Sequence, residues 1–269
     1  MRELKKTPDT ILREVRLLRP LVHQITNGVS SHIQAEVTSM LGGCPVMSCL
    51  MDEAAEIAEK SDALLVNIGT PHRDTYDVIS ESMRIAERRR IPAVLDIVGY
   101  GFTDFRRRLA ESLLERFNFS VIKGNRGEIS SLAGKGPGPK GVSAPGHSGD
   151  GIAGITELLA KRYNCAVFCT GATDCLSDGS FTVTLSGGSP MAGILSGMGC
   201  ALGSVTALFS AAAEPFDASF AALCSFRASG EAAFKTAHGP ASFYAAFVDA
   251  LFALEEQGFG YWGNFIDKA

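Results

Sequence analysis

Short apolar runs alternate with longer amphipathic segments from residue 10 to residue 185, and this alternation limits the fold more than any other feature of the chain. The runs at 62–69 (DALLVNIG), 91–98 (IPAVLDIV), 119–123 (FSVIK) and 164–170 (NCAVFCT) read as buried strands, with a short strand at Cys44–Met47. Helical periodicity covers 10–18 with Thr10 as N-cap, 32–41 stopped by Gly42-Gly43, and 52–60 with Asp52 at its start. It returns at 73–89, ended by Arg88 to Arg90, at 104–117, in a short helix from near Arg126, and at 150–162. Residues 175–185 read as a hairpin around Asp178-Gly179, and the Ala-rich chain from Gly199 is mostly helical. Such an order implies an α/β fold: a mostly parallel central sheet with helices on both faces. No internal repeat or linker interrupts it, so residues 1–269 are expected to form one domain.

Composition narrows the function classes. The chain is mildly acidic, with a net charge of -4, and its Arg triplets at 88–90 and 106–108 are short, so nucleic acid is not an expected partner. No apolar run approaches the roughly 18 residues of a membrane span. The N-terminal segment is charged and lacks the apolar stretch of a secretory leader. Seven cysteines at irregular spacing, without a CxxC pair, read as reduced thiols of a cytoplasmic protein. The Gly/Pro/Lys-rich stretch 134–148 reads as a surface loop and contains no phosphate-loop pattern.

Ligands of open α/β sheets bind at the carboxyl ends of the strands. Polar and glycine residues gather there: Asn27; Asn67, Gly69 and Thr70; Asp96, Gly99 and Gly101; Gly124, Asn125 and Glu128; Thr170 and Gly171. Asp96 ends an apolar strand, where a charge is costly unless paired or metal-bound. Asp96 and Glu128 together suit a hydrated magnesium ion. The competing reading pairs Asp96 with a basic residue and leaves Glu128 at a helix start. Residues 195–203 (LSGMGCALG) place a glycine-rich turn before an apolar helix, whose free N–H groups form an anion hole. Cys200 falls in the first turn, as a reactive thiol or as a packed core cysteine. His23 reads most simply as a packing residue, and His238 as a pocket or helix-end residue.

Taken together, the segments PLVHQITN (20–27), CPVM (44–47), LLVNIGT (64–70), PAVLDIVGYG (92–101), IKGNRGEI (122–129), the TG at 170–171, GMGCALGSV (197–205) and GPASF (239–243) resemble the hydroxyethylthiazole kinases. These are thiamine-salvage enzymes of the ribokinase-like superfamily, and the resemblance spans about residues 18–250. It implies a ribokinase-like three-layer fold and phosphorylation of the primary alcohol of 4-methyl-5-(2-hydroxyethyl)thiazole by ATP with Mg2+. By the same resemblance, Gly197, Gly199 and Cys200 form the catalytic anion hole, Cys200 standing where the wider superfamily has an aspartate base. Lys123, Asn125, Thr170 and Gly197 contact the nucleotide. Asn27, Met47, Gly69 and Thr70 hold the thiazole, and Asp96 and Glu128 lie near the metal. A homotrimer with active sites at subunit interfaces is also implied.

The chain departs from the family pattern at several positions. Ile97 stands where the family usually has Pro, Lys123 where it has Arg, Ser196 where it has Thr, and His238 where it has Lys. Met198 replaces a small residue inside the turn and is expected to narrow it. Gln24 and Gly28 are also atypical. Two other functions stay open: a kinase for another small heteroaromatic or vitamin-like alcohol, and a non-catalytic nucleotide-binding homologue. A ribokinase-like hydrate dehydratase ranks below both.

Overall fold

A computed structural model describes residues 4–134, 150–257 and 262–266. Apart from Gly134, the loop expected at 134–148 lies outside them. Eight strands form one sheet: β1 (Leu21–Ile25), β2 (Cys44–Met47), β3 (Ala63–Asn67), β4 (Ala93–Asp96), β5 (Val121–Asn125), β6 (Ala166–Thr170), β7 (Asp174–Ser177) and β8 (Thr182–Leu185), in the order β2-β1-β3-β4-β5-β6-β7-β8. The pairings from β2 through β6 are parallel, while β7 and β8 turn back antiparallel. The hairpin between β7 and β8 closes around Asp178, whose Oδ1 accepts from Ser180 N and Phe181 N.

The helices are α1 (Pro8–Leu18), α2 (Ser31–Met40), α3 (Met51–Lys60), α4 (Thr75–Arg89), α5 (Asp104–Arg116), α6 (Arg126–Leu132), α7 (Asp150–Tyr163), α8 (Met198–Ser210), α9 (Pro215–Thr236) and α10 (Pro240–Gln257). Several helix starts differ from the sequence reading, α2 beginning at Ser31 rather than His32 and α4 at Thr75 rather than Arg73. Thr7 rather than Thr10 caps α1, accepting from Thr10 N, because Pro8 takes the first helical position, where a missing N–H costs nothing. The third helix starts at Met51, one residue before Asp52. β3, β4 and β6 are shorter than their apolar runs, β2 matches its run, and β5 lies two residues later than 119–123.

Strand alternation sorts the apolar side chains into two layers. Ala63, Leu65, Val94, Val121 and Phe168 face α1, α2, α8, α9 and α10. Leu64, Val66, Leu95, Ile122 and Val167 face α3 to α7. Each of the Val, Leu, Ile and Phe side chains among them contributes about 1.5–3 kcal/mol by burial. The same alternation continues into the polar strand ends. Asn67 follows Leu65 by two, Asp96 follows Val94 by two, and Lys123 follows Val121 by two. Register then aligns them: Asn67 opposes Asp96, and Asp96 opposes Lys123. Three polar side chains thus form one row across β3, β4 and β5, on the face covered by α8.

His23 packs inside β1 with no exposed surface, its Nε2 3.3 Å from Ser48 O and its Nδ1 without a partner. It is a packing histidine, and burial lowers its pKa from 6.5 to about 4, with Ser48 O and Glu53 opposing. The stability from keeping it neutral is whole above pH 6.5 and is lost as the pH falls toward 4. The loss reaches about 3 kcal/mol. Urea denaturation at pH 7 and pH 4.5 should show a smaller drop for His23→Asn than for wild type. An equal drop would mean that His23 carries none of the acid sensitivity.

Candidate active site

The site is built at the carboxyl ends of β1, β3, β4 and β5, beneath the first turn of α8. That turn exists because Gly197 adopts φ +92°, a conformation L side chains rarely take, and ends its loop directly at Met198. Ser30 and Ile33 close off the space behind Gly197; a Cβ there would lie 3.1 Å from Ser30 Cβ and from Ile33 Cγ2. Farther along, a Cβ on Gly203 would meet Asp96 Oδ2 at 3.3 Å and Leu65 Cδ1 at 3.4 Å, so glycine lets α8 settle close onto the polar row.

The row closes into a ring. Asn27 Nδ2 donates to Asn67 Oδ1 at 2.9 Å, and Asn67 Nδ2 donates to Asp96 Oδ2 at 2.8 Å. Lys123 Nζ lies 3.0 Å from the same Asp96 oxygen and donates to Gly199 O at 2.8 Å. The next residue, Cys200, returns to the start, its Sγ 3.7 Å from Asn27 Nδ2. Asn27 is fixed by its own turn, its Oδ1 accepting from Val29 N, Ser30 N and Ser30 Oγ. Three donors on that oxygen settle which way the amide points.

The charges in the ring are buried. Asp96 is 0% exposed and Lys123 3%. Burial pushes the Asp96 carboxyl up, against Lys123 and Asn67, which favour its ionised form. Burial also works against the Lys123 ammonium, but Asp96, Cys200 and Glu128 outweigh it and raise the pKa, so Lys123 stays cationic. A pair this deep is favourable only with its remaining bonds made. One atom is left over: Asp96 Oδ1 is buried without a hydrogen-bond partner.

Glu128 lies beside this pair. Its Oε1 accepts from Gly99 N and its Oε2 from Asn125 N, both at 2.7 Å. Asn125 Oδ1 in turn accepts from Glu128 N, which completes a capping box at the start of α6. Burial and the Asp96 charge push the Glu128 carboxyl up, and the two backbone N–H groups pull it back. The structure therefore shows the competing reading of these carboxylates: Asp96 has a basic partner, Glu128 serves a helix start, and the two lie close enough to act on each other's charge.

The other expected residues surround the ring. Gly199 and Thr70 are exposed and Cys200 is half-buried, so the site opens to solvent between them. Thr70 holds φ +38°, a strained value for a β-branched residue. Gly69 N donates to Asn67 Oδ1 at 2.9 Å. Met47 ends β2 half-buried. Thr170 ends β6, its Oγ1 bonded to Gly124 O. Lys123 points inward rather than out of the strand end, as its bonds to Asp96 and Gly199 require.

Two departures have local explanations. Ile97 N donates to Lys123 O at 3.0 Å, a bond that a proline could not make. Met198 is buried in the core cluster beneath α8, so its side chain does not narrow the turn as its position suggests. His238 is exposed, and its N–H bonds Ser242 Oγ at the start of α10. Asn67, central to the ring, carries no assigned role from sequence; the signal for it is its place on the Ala63–Leu65 face.

Residues 12–257 match the hydroxyethylthiazole kinase family. The "Hydroxyethylthiazole kinase" of Methanocella arvoryzae is 42% identical over 246 residues, 91% of this chain and 92% of that protein. The hydroxyethylthiazole kinase protein of Pyrococcus horikoshii has a solved structure that superposes with a TM-score of 0.86 at 33% identity, covering 97% of each chain. A ribokinase-like superfamily protein of Enterococcus faecalis shares the fold at 11% identity, with a TM-score of 0.63 over 96% of this chain and 91% of that one.

Proposed function

The chain belongs to the hydroxyethylthiazole kinase family, and we propose that it transfers the γ-phosphoryl group of ATP to the primary alcohol of 4-methyl-5-(2-hydroxyethyl)thiazole, with Mg2+, in thiamine salvage. The observation that carries this reading is the polar ring closing under the N-terminus of α8. Phosphoryl transfer asks a protein for positioning and charge stabilisation more than for covalent chemistry. The N–H groups at 197–200 lie at a helix start, where an anion is favoured. They steady the transferring phosphoryl oxygens, while Thr170, Asn125 and the charge of Lys123 favour the nucleotide phosphates. Asn27, Met47, Gly69 and Thr70 border the acceptor. The alcohol oxygen attacks phosphorus, the bond to the leaving ADP oxygen breaks, and Cys200 Sγ stands on the acceptor side to take the alcohol proton.

The donor set fits a magnesium ion. Asp96 offers an unpartnered oxygen and Glu128 a second carboxylate, while no described group of three His, Cys, Asp or Glu encloses a metal. Asp96 and Glu128 would hold such a cation together with waters, which magnesium usually retains. When bound, it neutralises charge between the phosphates.

The rest of the reading has its own support. One sheet running through the described strands supports a single kinase domain over 1–269. Val29, Leu50, Ile194 and, at the first position of α3, Met51 are exposed apolar residues at the site's edge, which supports a homotrimer with the site at a subunit interface. Described helices are all too short or too polar to span a membrane, and the seven cysteines are free, which supports a cytoplasmic location.

An ADP-release assay with Mg2+·ATP and a panel of small alcohols tests the function. Release with the thiazole is expected. Release only with another alcohol would keep the chemistry and replace the acceptor, and silence across the panel would overturn the kinase reading.

A further inference from the structure

Asn67 touches both sides of the site, yet the reaction as described gives it no part. It ends β3, 2% exposed, between the acceptor-side Asn27 and the cation-side Asp96. Its Oδ1 accepts from Asn27 Nδ2 and Gly69 N, and its Nδ2 donates to Asp96 Oδ2. The amide has one workable orientation. Flipped, it would set an NH2 group against two donors and an oxygen against a carboxylate, losing three bonds.

That fixed orientation has two consequences. Asn67 and Lys123 both engage Asp96 Oδ2, which leaves Oδ1 as the unpartnered oxygen. On the other side, Asn67 Oδ1 holds the Asn27 nitrogen that also lies 3.7 Å from Cys200 Sγ. One planar group therefore sets the carboxylate and the thiol-side amide relative to each other. A serine would not span the gap, and an aspartate would keep the acceptor but set a second carboxyl group against Asp96 in place of the neutral amide donor.

We propose that Asn67 is a positioning residue that aligns the cation-side carboxylate, Asp96, with the acceptor side, Asn27, Gly69 and Cys200, in one register. This rests on the kinase reading above. The two bonding directions of Asn67 separate experimentally. Asn67→Asp retains the oxygen that accepts from Asn27 and Gly69 but replaces the neutral amide donor with a second carboxyl group, which repels Asp96 or shares a proton with it. Asn67→Ala loses both directions.

The test measures hydroxyethylthiazole binding by titration calorimetry, ADP-release kinetics, and thermal denaturation for the folded fraction. For Asn67→Asp we expect a thiazole Kd within about threefold of wild type and a kcat down about 100-fold. For Asn67→Ala we expect the same loss in kcat and a Kd weakened about tenfold. The split between binding and turnover is what a purely structural role would not produce. Matching Kd values in the two variants, or a kcat for Asn67→Asp that tracks only the folded fraction, would overturn the proposal. Failure of the kinase reading shows earlier and separately: wild type would then neither bind the thiazole nor release ADP with it, and the proposal would fall with that reading.

Discussion

Asp96→Asn should leave a folded protein whose ADP-release rate is about one-hundredth to one-thousandth of wild type, while Asp96→Ala loses that activity and stability as well. The difference lies in what each substitution does to Lys123. Asparagine keeps a neutral oxygen within reach of Lys123 Nζ and Asn67 Nδ2, which sit 3.0 and 2.8 Å from Asp96 Oδ2. Alanine leaves a 3% exposed ammonium with Gly199 O as its remaining bonded partner among the described residues. Breaking a buried pair from one side costs about 3–5 kcal/mol, because the remaining charge is stranded. The double variant Asp96→Ala/Lys123→Met removes both charges and should recover most of that stability without recovering turnover. Urea denaturation and ADP release on the four proteins separate the two effects. Asp96→Asn retaining a tenth of wild-type activity would remove Asp96 from the chemistry and leave it only as the partner of Lys123.

The strands and helices are legible in the sequence because periodicity and burial are local properties. DALLVNIG announces a buried strand wherever it stands, and the Gly197–Gly199 turn announces a helix start. The ring is a different kind of fact. Asn67, Asp96 and Lys123 stand 29 and 27 positions apart in sequence, and they meet because parallel register sets them opposite one another. Nothing at position 96 alone distinguishes a metal carboxylate from the partner of a lysine; the lysine partner comes from the neighbouring strand. Lys123 shows the same limit. Its residue type suggests an outward cation, while strand alternation turns it toward α8, where Gly199 O and Asp96 hold it. Met198 suggests a narrowed turn, but helix geometry carries its side chain into the core. The orientation of a side chain at an element boundary depends on the element packed against it, and one strand's sequence does not contain that.

The two glycines of the α8 turn should respond in opposite ways to the same added methyl group. At Gly197 the backbone stands at φ +92°, and a Cβ would lie 3.1 Å from Ser30 Cβ and Ile33 Cγ2. Gly197→Ala therefore costs about 1–2 kcal/mol in left-handed strain before any crowding. Ser30 also supplies two of the three hydrogen bonds that hold Asn27, so the displaced contact reaches the acceptor side. Stability and turnover should fall together, turnover by about 100-fold as the N–H groups lose their aim. Gly199 is in the helix, exposed, and a Cβ there would meet Lys123 Nζ at 3.9 Å and no other described atom within 4 Å. Packing gives glycine no reason to be there, and alanine would favour the helix by about 0.5–1 kcal/mol. What the missing Cβ leaves open is space at the mouth of the anion hole, where a phosphoryl group must come close to the backbone. Gly199→Ala should therefore unfold at the same temperature as wild type or higher, with ATP turnover reduced about tenfold or more by loss of that close approach. Thermal denaturation beside ADP-release kinetics measures both. A fully active Gly199→Ala would place the phosphoryl group elsewhere, and a destabilised one would show that the fold, not a ligand, requires the glycine.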